Sequence, residues 1–402
     1  MEFNLNDEQR MLEDSIARYT SQAYPASARL QRLAESQSAD DDWSTFAANG
    51  WLAVALPEEH GGLGAGLVES TVIGGRLGRV LALEPYVGCA VFAPQVLLAC
   101  GPSDPVNALI EAIGFGTRRV AVAYDEDRAR GNPTLVGACA TPGENGDYRL
   151  TGEKVLVIGG DRADTFIVAA NVEGAAPGQR SLGLFLVEAG AAGLSVIVET
   201  LVDGSRVARL KLANAEARLR CDNGNGLAAL CAGLDQAIAV QAAELVGAMD
   251  QAIEITSDYL STRRQFGQPL SSFQVLQHRL ADMAAETELA RSMVYSAIQA
   301  LEHGPPDRRR HAAAATKLIV CQAARNVCGQ AVQLHGGIGM TEENLIGHYF
   351  KRAVVASALL GGHTTQEAIC AAELHDHLID EMETLIRCME REPFSNAIQK
   401  FA

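Results

Sequence analysis

The stretch Thr262-Arg263-Arg264-Gln265-Phe266-Gly267-Gln268-Pro269-Leu270 stands between two long helical runs. Before it, Leu245, Met249, Ala252, Ile255 and Tyr259 share one stripe at the three- and four-residue spacing of an amphipathic helix. After it, Phe273, Leu276, Leu280 and Met283 share a second stripe. Gly267 and Pro269 break the pattern between them. Further on, Ile319, Ala323, Val327, Ala331 and Leu334 form a third stripe, and a last helix is predicted over Thr365–Arg387. These spans are rich in Ala, Glu, Gln and Leu, which are good helix formers. Short Gly, Pro or polar breaks separate them, so the C-terminal part reads as an antiparallel bundle.

Toward the N-terminus, Asp222-Asn223-Gly224-Asn225-Gly226 is a linker signal. The texture before it is different. Val120–Tyr124, Tyr148–Leu150, Val155–Ile158, Thr165–Ala170, Leu182–Val187, Leu194–Val198 and Val207–Leu212 are short apolar runs bounded by Gly, Asp or Pro. Seven such runs suggest an antiparallel barrel or sandwich. The first third is helical again. Met11, Leu12, Ile16 and Tyr19 follow the cap-like Asn6-Asp7-Glu8, and Trp43–Leu56 is a second amphipathic stretch, stopped by Pro57. Glu58-Glu59-His60-Gly61-Gly62-Leu63-Gly64 makes a glycine-rich turn, with helices expected over Leu67–Leu83 and Pro105–Phe115. The predicted fold is therefore α+β and multidomain. It comprises an N-terminal helical domain (1–116), a middle antiparallel β-barrel or sandwich (117–219) and a C-terminal four-helix-type bundle that also serves oligomerisation (227–395). Ligand clefts are expected at the junctions.

Bulk properties narrow the function. A chain of 402 residues with 48% apolar content builds large cores without staples. Its nine cysteines form no CxxC pair, so no metal site is expected, and the cysteines read as buried and reduced. A net charge of -16 argues against a general nucleic-acid binder. Arg308-Arg309-Arg310, beside Pro305-Pro306, reads as a solvated turn between helices. The start, MEFNLNDEQRMLEDS, is acidic and lacks the apolar core of a signal peptide. No uninterrupted apolar run of about 20 residues stands out, so the expectation is no membrane span and a cytoplasmic location.

The order of motifs resembles the acyl-CoA dehydrogenase family over nearly the whole chain. Pro57 to Gly64 looks like the family's N-terminal glycine turn. Thr262 to Leu270, with Phe273-Gln274 and Leu280-Ala281-Asp282-Met283, looks like its C-terminal signature. Lys317 and then Gln333-Leu334-His335-Gly336-Gly337-Ile338-Gly339 follow in family order. The resemblance implies FAD as cofactor and α,β-dehydrogenation of an acyl-CoA thioester to the trans-2-enoyl-CoA. It also implies electron-transfer flavoprotein as acceptor, and FAD sites shared between chains. Arg263, Phe266, Gln333, Gly336 and Gly337 would contact the flavin of the neighbouring chain, and Thr364 is a further cofactor-binding position. A guanidinium fork suits a pyrophosphate, and glycine lets backbone approach a ligand closely.

The chain departs from the family pattern where the chemistry is done. Family members remove the α-proton with a carboxylate in a Tyr-Glu-Gly-Thr-like segment, where this chain reads Leu360-Gly361-Gly362-His363. Gly361 falls at the base position. The family's second base position falls on Ala237. Asp235 and Glu244 are the nearby carboxylates, each either a relocated base or an ordinary polar-face acid. Gly361, Gly362 and His363 line the expected substrate position, and Glu367 fits a helix start. In the β module, the flavin-facing Trp-Ile-Thr/Ser segment corresponds to Leu156-Val157-Ile158. The Thr-Glu-Pro and Gly-Ser-Asp loop corresponds to Ala123–Gly131.

Groups implied to reach a partner's flavin are kept, while those that hold the chain's own flavin are lost. This asymmetry resembles one subunit of the heteromeric bacterial acyl-CoA dehydrogenases of steroid side-chain or dicarboxylic (pimeloyl-CoA) breakdown. The alternatives are a homo-oligomeric dehydrogenase with a relocated base, a non-catalytic subunit completing a partner's FAD site, and a flavin monooxygenase or oxidase relative.

Overall fold

The computed structural model describes residues 5–34, 42–143, 146–172, 181–221 and 225–372. The chain opens with α1 (Asp7–Ala23), where Asn6 and Gln9 exchange side-chain and backbone hydrogen bonds of 2.8 and 2.9 Å in a capping box. Helices α2 (Ala26–Ala34), α3 (Trp43–Ala48), α4 (Leu67–Arg79), α5 (Ala93–Ala99) and α6 (Asp104–Gly114) complete the first third. The helix expected over Trp43–Leu56 stops at Ala48. Gly50 turns the chain at φ +75°, and the Trp51 N–H returns to the Phe46 carbonyl at 3.0 Å, burying the indole. A wide π-helical turn, Tyr86–Phe92, leads into α5. It is buried on every side, so it carries no hydrophobic period for a sequence reading to find.

The strands are β1 (Val120–Ala123), β2 (Cys139–Pro142), β3 (Asp147–Ile158), β4 (Thr165–Val172), β5 (Leu182–Glu188), β6 (Leu194–Thr200) and β7 (Arg206–Cys221). Pairings β4–β2–β3–β7–β5 return to β4 and close a barrel, with β1 added beside β4 and β6 beside β7. The sheet is mixed rather than purely antiparallel, because β1 and β2 both run parallel to β4. Two runs read separately in the sequence, at 148–150 and 155–158, are one strand. Its register with β7 shifts between Lys154 and Val157, with Leu156 at φ +52°.

The C-terminal part holds α7 (Asn225–Thr262), α8 (Gln274–His303), α9 (Pro306–His335) and α10 (Leu345–Ala358). A final helix starts at His363, and the 373–387 portion of its predicted span lies outside the described residues. Helix α7 is the core of the molecule. By length and hydropathy it is apolar enough to cross a membrane, but 72% of its most apolar window is buried inside the protein. Its crossing with α4 is backbone on backbone. A methyl group on Gly247 would sit 1.9 Å from the Gly75 carbonyl oxygen, and one on Gly78 would sit 1.9 Å from that of Glu244.

One side chain ties the layers together. Arg352 of α10 donates to the Asp203 carboxylate at 2.6 Å and to the Ala82 carbonyl at 2.9 Å, and it pairs with Glu244 of α7. Arg29 of α2 donates to the Leu81 carbonyl and, at 2.7 Å, to the Asp203 carbonyl. Burial works against a charge on Asp203, but Arg352 and the Ser205 hydroxyl and N–H outweigh it and hold the carboxyl below its ordinary range.

Arg352→Met leaves Glu244 and Asp203 buried without their cation, so it is expected to lose about 3–5 kcal/mol of stability in urea denaturation. Because the folded-state pKa of Asp203 is lowered, its contribution is complete above the ordinary value of about 3.9 and is lost as pH falls further. The stability gap between wild type and Asp203→Asn should therefore shrink below about pH 4. A gap that widens there would contradict this account.

Candidate functional site

Helix α7 ends at Thr262, and a small hairpin follows, with β8 (Arg264–Gln265) and β9 (Gln268–Pro269) joined by Phe266-Gly267. Both loop residues have positive φ, +53° and +80°. A two-residue turn of this kind favours Asn-Gly. Phenylalanine in the left-handed region costs roughly 1–2 kcal/mol. Its ring is nonetheless 90% exposed, with only an edge contact to Phe273 at 6.1 Å. Arg263 is also exposed and makes no side-chain hydrogen bond or ion pair among the described residues.

The end of α9 is fastened to the same place. The His335 ring stacks on Tyr259 at 4.4 Å, and the Tyr259 hydroxyl donates to the His335 carbonyl at 3.3 Å. This brings Gln333, exposed on the last turn of α9, toward the Arg263 hairpin. Gly336 (φ +65°) and Gly337 have open space where a side chain would stand. The five positions that the resemblance assigns to a neighbour's flavin thus share one end of the bundle, where the Tyr259–His335 stack joins α7 to α9.

The substrate-side positions form a second group. Gly361 is buried at φ +96°, a conformation that L side chains resist. A Cβ there would lie 2.5 Å from the Gln366 amide nitrogen. On its other flank, a Cβ on Gly131 would fall 2.2 Å from the Gly361 Cα. The Arg130 carbonyl accepts from the Gly362 N–H at 3.3 Å and the Thr365 hydroxyl at 3.0 Å. The loop that begins at Asp125 is folded onto the segment where the resemblance expects a base. Sequence reading missed this contact, since nothing local links Gly131 to Gly361. Gly362 is half-buried. His363 is exposed, with Nδ1 3.1 Å from Glu367, and Thr364 faces solvent.

The remaining candidates are occupied elsewhere. Ala237 is buried in α7. Asp235 is buried against Arg310, so the third arginine of the 308–310 run is an ion-pair partner rather than a solvated turn residue. Burial pushes the Asp235 carboxyl up, against the opposing pull of Arg310. Burial likewise raises Glu244, which is held by Arg352. No group of three or more metal-ligating side chains occurs among the described residues.

Between Leu156, Ile158, Tyr124, Asp125, Phe92 and Leu360 the cavity measures about 10 Å³. That is room for about one water, whereas ligand pockets run to roughly 300–1,000 Å³. A flavin ring does not fit there. Arg263, Phe266, Gln333, Gly336 and Gly337 are all exposed, with no side chain standing over the two glycines. A hollow of about 440 Å³ lies apart between α1, α4, α7 and α8. Its arginines Arg76, Arg79 and Arg291 are already engaged by carboxylates.

Residues 224–375 match the acyl-CoA dehydrogenase C-terminal domain, and residues 6–104 match the N-terminal domain. The solved Tcur3481–Tcur3483 steroid ACAD, in a variant form, is 30% identical with a TM-score of 0.83, covering 93% of this chain and 99% of that one. The ChsE4–ChsE5 complex of Mycobacterium tuberculosis is 25% identical over the same shares, also with a TM-score of 0.83. Acyl-CoA dehydrogenase IpdE2 of the same organism is 28% identical over 88% of this chain and 93% of its own length. With its helix–barrel–bundle architecture and these matches, the chain belongs to the acyl-CoA dehydrogenase family.

Proposed function

We propose that this chain is the base-lacking subunit of a heteromeric acyl-CoA dehydrogenase, and that it completes the FAD site of a homologous partner. Phe266 carries the reading. A strained, water-exposed aromatic residue at a hairpin tip contributes nothing to its own chain that a smaller residue would not, and strain of this kind is kept where it serves a contact. Beside it, Arg263 supplies the guanidinium for a pyrophosphate, Gln333 an amide, and Gly336 and Gly337 bare backbone. When bound at that edge, FAD would supply the electron acceptor for dehydrogenation in the partner. The partner would also supply the carboxylate and hold the acyl-CoA, and electron-transfer flavoprotein would take the electrons onward. Substrates in steroid side-chain or dicarboxylate breakdown fit this reading through the resemblance of the pattern.

A homo-oligomer with a relocated base needs a free carboxylate at the reacting carbon. The two nearby acids, Asp235 and Glu244, are each committed to an arginine. The monooxygenase or oxidase alternative keeps the fold, but it too expects an acid where Gly361 stands.

Flavin stoichiometry tests the proposal. Protein purified alone should be colourless, and co-expression with its homologous partner should yield one FAD per two chains. One FAD per chain with turnover of an acyl-CoA by the isolated protein would overturn it. Gly361→Glu should restore no dehydrogenase activity to the isolated chain. It should also lower stability by about 1–3 kcal/mol from backbone strain alone, read as a drop in the thermal midpoint. Activity gained by that variant would show that the ring site opens after all.

A further inference from the structure

We propose that Cys100 and Cys221 are a modification site, forming a reversible disulfide that staples the N-terminal helices to the barrel when the surrounding thiol–disulfide pool turns oxidising. The cysteines among the described residues are all free. Cys100 closes α5, and Cys221 is the last residue of β7. They are far apart in the chain and adjacent in the fold. The Arg220 guanidinium donates to the Gly101 carbonyl, so the residue before one cysteine is bound to the residue after the other. Within that contact the two thiols are hydrogen-bonded to each other.

An S–S bond is about 2.05 Å long, so the sulfurs must still move together. Gly101 is the hinge for that movement. It has a φ of +84°, and open space lies where a side chain would stand, which leaves the end of α5 free to adjust. The other side of the junction is firm. A methyl group on Gly233 of α7 would fall 2.5 Å from Val96 of α5, so α5 and α7 are in close contact, and β7 leads toward α7. A bond here closes a loop of more than about 100 residues and restricts the unfolded chain accordingly.

Exposure sets the order of events. Cys100 is half-buried and Cys221 is 7% exposed, so a small oxidant meets Cys100 first. Burial, and then the neighbouring Cys221 thiol, push the Cys100 thiol up to about 12, against the pull of the Arg220 cation. Thiolate is the attacking species and is scarce at neutral pH, so the pair ignores a brief exposure and answers a sustained one. The step is an exchange with a low-molecular-weight disulfide such as oxidised glutathione. The Cys100 thiolate attacks one of its sulfurs, forms a mixed disulfide and releases one glutathione thiol. Cys221 then attacks the Cys100 sulfur, and the second glutathione leaves. The two cysteines lose two electrons and two protons, and the glutathione disulfide gains both.

Equilibration of the purified full chain in glutathione redox buffers tests the proposal. It is started from reduced protein and from protein oxidised with diamide, so that slow exchange does not hide the end point. Remaining thiols are alkylated and linked peptides are mapped by mass spectrometry. In oxidising buffer one intramolecular Cys100–Cys221 bond is expected, reversed by excess thiol, with the thermal midpoint raised by about 5 °C. Cys100→Ala and Cys221→Ala should each abolish the bond and the rise. Cys89→Ala and Cys231→Ala, whose positions share tryptic peptides with the pair, should abolish neither. Mixed disulfides or links between chains in place of this bond, a link that survives Cys100→Ala, or a midpoint that fails to rise would each overturn the assignment. No residue of the partner-facing cluster takes part, so these results leave the flavin stoichiometry of the co-expressed complex unaffected and the two proposals fail separately.

Discussion

Arg352 is the residue on which the three structural layers converge. Its guanidinium reaches a carboxylate on α7, a carboxylate in the β6–β7 turn and a carbonyl just after α4. Each partner comes from a different part of the chain, so the relative placement of helices and barrel is decided by one planar group whose donors must all be met. A buried arginine with two acids is electrostatically expensive to assemble and costly to break. It acts less as a source of net stability than as a constraint on geometry. The direct backbone contact of α4 on α7, allowed by Gly78 and Gly247, adds a second constraint on the same helix. With α7 fixed by both, the ends of α7 and α9 that carry Arg263 and Gln333 have one arrangement.

That rigidity serves two ends of the molecule in opposite ways. At the barrel, the Arg130–Gly131 loop and the Gly361 turn touch through bare backbone, and the cavity between Leu156, Tyr124, Phe92 and Leu360 measures only about 10 Å³. At the far end of the bundle, a hairpin holds an aromatic ring in water beside an unpaired arginine and two uncovered glycines.

Much of this was legible in the sequence. The three long stripes gave the bundle, because periodicity reports directly on which face of a helix is buried. The Arg263 to Leu270 stretch and Gly336-Gly337 marked the outward-facing cluster, and Leu360-Gly361-Gly362-His363 put a glycine where the resemblance expects a base. The missing parts were those fixed by partners distant in the chain. Asp235 looked like a free acid because its arginine lies 75 residues away. Strand β2 is too short to show alternation. The bulge at Leu156 split one strand into two apparent ones, and the buried π-turn before α5 has no polar face to give a period. The packing of the Asp125 loop on the Gly361 turn rests on Gly131 meeting Gly361, a contact across more than half the chain.

Phe266 has a consequence for how such a protein is made. A phenyl ring left in water forgoes about 1.5–3 kcal/mol relative to a buried one. Here it sits at the tip of a hairpin, where no described residue of its own chain reaches over to cover it. An exposed ring of this kind makes a chain adhesive, inclined to pair with itself or to be cleared by proteolysis. If another surface covers it, as proposed, balanced production of the two would be favoured.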